Sequence, residues 1–251
     1  MNIQPNQRHL RLAGAFNIRD LGGYPLGDGG STRWGRLLRA DALHRLAETE
    51  ARMLAEHGLA TVIDLRRQAE LDAAPNPFSS FDGVAYHHVS LFDQLDPLAL
   101  AGSTNLLYDL YCMALRERGD AFAQVLRLIA DAPDGIVLFH CTAGKDRTGL
   151  VAALMLLIAD ADEDTILADY AMTGDLIAPM LEELLREAEL RGDDVEAFRP
   201  LLACEPATMA ATLLEIDRAH GGIASYLASI GIDDDTVRKL RLRLTAPGEG
   251  E

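Results

Sequence analysis

His140-Cys141-Thr142-Ala143-Gly144-Lys145-Asp146-Arg147-Thr148-Gly149 sets a cysteine and an arginine at the two ends of one short loop. Before it, Gly135-Ile136-Val137-Leu138-Phe139 is a short, apolar, β-branched run that predicts a buried strand. After it, Leu150 to Ala159 is too long and too apolar for an ordinary strand and predicts a buried helix. The loop therefore belongs at the C-terminal end of a strand and feeds a helix N-terminus. Backbone N–H groups lack partners at such a junction, and an anion is favoured there.

The residue types in the loop point to one chemistry. A thiol attacks as its thiolate. The helix N-terminus, Lys145 and Arg147 each favour an anionic sulfur at Cys141. Arg147 presents a planar fork that can hold two phosphate oxygens at once. Gly144 permits the tight turn that aims the amides of residues 142 to 147 inward. Thr148 can donate its hydroxyl hydrogen to the sulfur as that sulfur becomes a leaving group. His140 is better placed to orient the loop from behind than to act as a base. Together these residues predict nucleophilic attack on a phosphate ester through a cysteinyl-phosphate. Sulfur transfer and arsenate reduction also use cysteine loops, but the combination of Gly144, Arg147 and Thr148 argues against both. A module that binds phospho-ligands without turnover is the non-enzyme alternative, weakened by the intact cysteine and arginine. Cys112 and Cys204 read as small buried hydrophobes.

The rest of the chain bounds the setting. With 251 residues and 49% apolar content it can bury a substantial core, and residues 1–251 are expected to form a single domain. No run approaches the roughly 18 to 20 apolar residues of a membrane helix, and the run after the loop ends at Asp160. Met1 to Arg8 has no apolar core and does not read as a Sec signal. Three widely spaced cysteines supply neither a disulfide framework nor a zinc spacing. A reducing cytoplasm suits a catalytic thiolate, so a cytoplasmic location is expected, with signal-less export left open. A net charge of −16 argues against nucleic acid and against adhesion to anionic membranes. It also obliges the loop's cations and amides to dominate within a Debye length of about 8 Å. No metal or cofactor is expected. His87 and His88, adjacent on a predicted strand, point to opposite faces, and the glycines between 22 and 35 lack a dinucleotide fingerprint.

Working outward, Glu48 to His57 predicts a helix ended by Gly58, and Thr61 to Arg66 a buried strand. The connection Ala73-Ala74-Pro75-Asn76-Pro77 leads to a strand over Val84 to Leu91. Helices at about 105–118 and 120–131, broken near Gly119, precede the strand that enters the loop. Beyond residue 160 the pattern is almost wholly helical: Asp164 to Ala171, Met180 to Leu190, Ala207 to His220, Ile223 to Ile230 and Asp234 to Leu244. Pro179, Gly192 and Gly221-Gly222 mark the breaks, and Leu181, Leu184, Leu185 and Ala188 form an apolar stripe. Alternating strands and helices predict an α/β fold with a largely parallel central sheet flanked by helices. The loop then lies at the sheet edge where such folds place ligands.

The loop resembles the His-Cys-x5-Arg-Thr/Ser signature of cysteine-dependent protein tyrosine phosphatases. Ala143 to Gly149 is similar, more narrowly, to the bacterial tyrosine/serine protein phosphatase family, which includes PtpB-like and Listeria lipid-phosphatase-like enzymes. Phe16-Asn17-Ile18-Arg19-Asp20-Leu21-Gly22-Gly23-Tyr24 resembles that family's Asn-x-Arg-Asp-Leu-Gly-Gly segment. Gly35 to Asp41, Val62 to Arg66, Ala168 to Tyr170 and Tyr226 to Ile232 match further, so the resemblance spans roughly residues 10 to 245. It implies a tyrosine-phosphatase-like fold in which helices within about 165–220 form a lid or flank over the site. It also implies phosphotyrosine and phosphoserine proteins as substrates. Lysine at position 145 resembles enzymes of phosphoinositides or inositol phosphates, which makes those the alternative substrates.

Cys141 is thus expected as nucleophile and Arg147 as phosphate clamp. Thr142, Ala143, Gly144, Lys145, Asp146 and Arg147 surround the phosphate, and His140 and Thr148 support them. The departing oxygen also needs a proton. Asp93 lies just after the strand ending at Leu91, and the resemblance aligns Ser90 to Asp93 with an aspartate proposed for that role. Asp146 is the rival. An ionised carboxylate inside the loop would repel phosphate, so its presence is understood if it arrives protonated and donates that proton. The plainer alternatives make Asp93 a solvated loop residue and Asp146 an orienting partner of the loop.

Overall fold

The computed structural model describes residues 6–93, 95, 103–192 and 194–245; the leader reading at Met1 to Pro5 lies outside them. Five strands form one sheet: β1 (Arg19–Asp20), β2 (Leu37–Ala40), β3 (Leu59–Asp64), β4 (Ala85–His88) and β5 (Ile136–His140). Their order is β1-β2-β5-β3-β4, and every pairing is parallel except β1 with β2. The largely parallel α/β architecture expected from the alternation is therefore present. Strand β5 lies at the centre and is buried along its whole length, as its unbroken apolar run requires.

Alternation along the strands sorts side chains onto two faces. Val137 and Phe139 join Leu37 and Ile63 on one face, while Ile136 and Leu138 join Leu38 and Val62 on the other. The second face is closed by the N-terminal segment around Leu10 and Ile18, by α1 (Glu48–Glu56) and by Phe78. The first carries most of the helices. These include α3 (Leu106–Glu117), α4 (Gly119–Asp131), α5 (Asp146–Ile158), α6 (Glu163–Ile177), α9 (Pro206–His220), α10 (Ile223–Ser229) and α11 (Asp234–Leu244). Helix α5 is buried almost all round, which is why its sequence shows no polar stripe.

Several boundaries differ from the sequence expectation for physical reasons. Helix α5 starts at Asp146, four residues before its apolar run, because its first turn is made of the loop's own polar residues. Strand β3 ends at Asp64, whose carboxylate accepts the Arg66 N–H and turns the chain. Three short elements carry too few residues to show a period: α2 (Gln68–Ala73), α8 (Val195–Phe198) and the 3-10 turn Arg199–Leu202. Helix α7 (Leu181–Arg191) buries Leu184, Leu185 and Ala188 of the expected stripe and ends at Gly192 in the left-handed region. Among the described residues no helix is long and apolar enough to cross a membrane.

Candidate active site

The parallel register brings Ala40, His140, Asp64 and His88 into one row at the C-terminal edge of the sheet. Two of the chain segments leaving that row carry candidate residues. Cys141 follows β5 directly, and Asp93 follows β4 by five residues. The loop then turns through Gly144 at φ +67°, where a Cβ would sit 2.6 Å from the Ala40 carbonyl oxygen and 2.7 Å from Asn17 Nδ2. Only glycine fits between the loop and the end of β2. The first backbone bond of the following helix is Gly149 N–H to the Lys145 carbonyl, at 2.7 Å. The amides of 146 to 148 therefore face the loop without helical acceptors, as at any helix N-terminus.

Cys141 is 2% exposed and sits against the helical face of the sheet. Arg147 returns toward it from the first turn of α5. Its Nη1 donates to Glu70 Oε2 at 2.6 Å and its Nη2 to Glu70 Oε1 at 3.0 Å, with Thr142 Oγ1 a further acceptor at 3.2 Å. Thr142 in turn donates its hydroxyl to Glu70 Oε1. This bidentate fork fixes the plane of the guanidinium. Burial alone would lower the Arg147 pKa. The Cys141 sulfur and then Glu70 more than compensate, holding it above its ordinary value. Burial would likewise raise Glu70, but its bonds and charge interaction with Arg147 bring the carboxyl down to about 2. The Phe92 ring centroid lies 5.6 Å from the Arg147 guanidinium carbon, beside Asp93 in the turn after β4.

Two buried networks hold the loop from below. At its start, His140 and Asp64 are register partners on the same sheet face. His140 Nδ1 donates to the Cys141 carbonyl at 3.1 Å, while Nε2 lies 3.2 Å from Asp64 Oδ2. Asn76 Nδ2 donates to Asp64 at 2.9 Å and lies 2.8 Å from His140 Nε2. Arg66 closes the set, with Nε 3.0 Å from Asp64 Oδ1 and Nη2 2.8 Å from Oδ2. Burial pushes Asp64 up, yet His140 and Arg66 together hold it far below the usual carboxylate range.

Under the middle of the loop the antiparallel register of β1 and β2 sets Arg19 opposite Arg39. Like charges directly opposed would repel. Asp169 of α6 lies between them, accepting Arg19 Nε at 3.0 Å, Tyr24 Oη at 2.8 Å and Arg39 Nη1. Arg39 Nη2 then donates to the Gly144 carbonyl at 2.7 Å, and Asn17 Nδ2 to those of Ala143 and Gly144 at 2.9 and 3.2 Å. Burial raises the Asp169 carboxyl, but the two guanidiniums override it and keep it well below its ordinary value. One carboxylate thus serves two guanidiniums, and Arg39 carries its remaining donor to the loop.

The remaining expected residues fall out differently. Thr148 Oγ1 is buried with no hydrogen-bond partner among the described residues. Asp146 sits at the first position of α5 with Oδ1 bonded by Tyr111 Oη. Asp93 is half-buried in its turn. The Lys145 side chain is 1% exposed, and its ammonium donates to the carbonyls of Leu201 and of Ala203 (3.1 Å) and lies 3.1 Å from Asp146 Oδ1. Lys145 thus ties the loop to the 199–203 turn. The loop is also joined to that region by packing, since Ala143 and Phe16 touch the cluster of Ile177, Met180 and Leu184 with Leu202 and Cys204.

A family model for the tyrosine phosphatase family matches residues 10–246. A tyrosine-protein phosphatase of Nostoc commune is 31% identical over 219 residues, 84% of this chain and 74% of that protein. The chain belongs to the tyrosine phosphatase family. Among solved structures, P. aeruginosa TpbA matches at 20% identity over 66% of this chain and 85% of that one, with a TM-score of 0.30. The same protein in complex with pTyr matches at 19% identity with the same coverage and TM-score. In this phosphatase, sequence reasoning assigned Glu70, Asp169 and Tyr111 no role at the loop. Asp169 lies within Ala168 to Tyr170, one of the stretches that match the family, but its place beneath the loop could not be read from that. Glu70 left a local signal: it stands three residues after Arg67 and accepts that residue's N–H at 2.9 Å, as in a capping box.

Proposed function

We propose that this phosphatase hydrolyses phosphotyrosine and phosphoserine esters of proteins through a cysteinyl-phosphate on Cys141. The observation that carries this reading is the placement of Cys141 and Arg147 on one loop, with the arginine fixed by Glu70. The sulfur attacks phosphorus, the S–P bond forms and the ester P–O bond breaks. Arg147 and the loop amides stabilise the equatorial oxygens as charge shifts onto them. The Thr148 hydroxyl is the donor for the sulfur when water later attacks phosphorus and the S–P bond breaks. Asp146 supplies the proton to the leaving oxygen, since it belongs to the loop itself and its carboxyl is held by Tyr111 and Lys145, whereas Asp93 lies on a neighbouring turn.

Two observations favour protein esters over phosphoinositides. Phe92 gives the pocket an aromatic side next to Arg147, suited to an aryl ester. A second phosphate would call on the Lys145 ammonium, which is committed to the carbonyls of Leu201 and Ala203.

The test is turnover of p-nitrophenyl phosphate without added metal. It should be inhibited by vanadate, show a stoichiometric burst and vanish in Cys141→Ser. Phosphate binding without turnover would instead make the protein a binding module, and thiosulfate activity would make it a sulfur transferase. For substrate class, a phosphoinositide-to-phosphotyrosine activity ratio that collapses in Lys145→Ala would overturn the preference for protein esters.

A further inference from the structure

Asp146 does not stand alone in the loop. Tyr111, on α3, is fully buried, and its hydroxyl donates to Asp146 Oδ1 at 2.5 Å. That donation uses the only hydrogen Tyr111 has. Its second contact, Tyr170 Oη at 2.9 Å, must therefore be a hydrogen bond that Tyr111 accepts. Tyr170 comes from α6 and is 1% exposed, and the two rings meet edge to face at 6.4 Å. The result is a directed chain from Tyr170 to Tyr111 to Asp146 Oδ1, anchored in α6 and α3. The Lys145 ammonium also lies on Oδ1, at 3.1 Å. Both donors thus converge on one oxygen of the carboxyl. The other, Oδ2, is the oxygen left to carry a proton.

Buried tyrosines far apart in sequence are usually explained by packing, with the hydroxyl satisfied wherever it can reach. Here the hydroxyls do more than satisfy one another. A chain of two tyrosines could end on a backbone carbonyl, as Tyr226 does at Leu115. It ends instead on the one carboxyl group inside the phosphate loop.

We infer that Tyr111 is a positioning residue for Asp146, holding Oδ1 so that the proton for the leaving group passes through Oδ2. This rests on the assignment of Asp146 as general acid. In the first step the Asp146 Oδ2–H bond breaks as the ester oxygen leaves phosphorus and takes that proton. The carboxylate left behind is held by Tyr111 and Lys145. In the second step the same oxygen takes a proton from the water that attacks phosphorus, which restores the acid as the cysteine sulfur departs. Tyr111 never touches the substrate and keeps its own proton throughout.

The experiment is the dependence of kcat on leaving-group pKa across a series of aryl phosphates. Asp146→Asn should lose about 100-fold on poor leaving groups and little on good ones, the ordinary weight of a general acid. Tyr111→Phe should lose about 10-fold on the poor ones only, with KM unchanged. In the Asp146→Asn background it should have no further effect, because the two substitutions act through one group. Tyr170→Phe leaves the bond from Tyr111 to Asp146 in place and should cost less than about 3-fold. A uniform loss across the series in Tyr111→Phe would mean a packing role only and would overturn the inference. Asp146→Asn with an unchanged leaving-group dependence would overturn the acid assignment itself, and the inference with it. If Tyr111→Phe does not fold, 3,5-difluorotyrosine at position 111 keeps the ring and strengthens the donor. At a pH acid to the activity optimum it should speed the poor leaving groups, and an unaltered slope would again refute the inference.

Discussion

Two buried ionic networks support the same loop, and they are built in opposite ways. The one behind Cys141 is local: Asp64, Arg66 and Asn76 fall within thirteen residues, joined by His140 as register partner of Asp64. The one beneath Gly144 is assembled from afar, with Arg19 and Arg39 meeting Asp169 across 150 and 130 residues. The local network pairs one carboxylate with one guanidinium and a histidine. The distant one shares a single carboxylate between two guanidiniums and spends the surplus donor on the loop. The first therefore fixes where the Cys141 carbonyl points, while the second fixes the turn at Gly144.

The comparison is broken most directly at Asp169. Asp169→Asn leaves two buried guanidiniums without a countercharge, and removing one partner of a buried pair costs about 3–5 kcal/mol. For a chain of this length that lowers Tm by roughly 10 °C, measurable by calorimetry. Phosphatase activity should fall with it even in the folded fraction, since Arg39 loses its anchor beside the Gly144 carbonyl. Asp64→Asn strands one guanidinium, Arg66, and its cost should be smaller, about 3 kcal/mol. If the order of these two losses is reversed, the local network carries the loop and the distant one is ornament.

The two networks also differ in how far the sequence announces them. The strand, loop and helix around residues 140 to 149 were legible because their signals are local: a β-branched run, a glycine turn and a long apolar run. His140 was expected behind the loop, and its Nδ1 meets the Cys141 carbonyl there. Strand alternation even implies that His140 and Asp64 share a face once their register is known. No such rule connects Arg19 with Asp169, or Tyr111 with Asp146, because each pair depends on how α6 and α3 dock on the sheet. Lys145 shows the limit from the other side. Its charge is plain in the sequence, but its direction is set by the carbonyls of Leu201 and Ala203, in a turn too short for any period to reveal.

Glu70 tests the comparison at its weakest point, because it belongs to neither network and is the only carboxylate hydrogen-bonded to Arg147 among the described residues. It is partly exposed, so the bond from Arg147 should add only about 1 kcal/mol to stability, at the upper end for exposed pairs. Glu70→Gln should therefore barely move Tm while lowering kcat/KM about 10-fold, since the arginine fork loses its fixed plane. The pH dependence has a definite sign. The carboxyl falls from an ordinary 4.5 to about 2 in the folded protein. Below 4.5 the unfolded chain takes up the proton first, so the stabilisation is complete above that pH and disappears as pH falls toward 2. The difference in Tm between wild type and Glu70→Gln should be constant above about pH 5 and shrink steadily toward pH 2. A difference that grows on acidification would mean that the glutamate is not ionised against Arg147. The arginine would then owe its place to the loop alone.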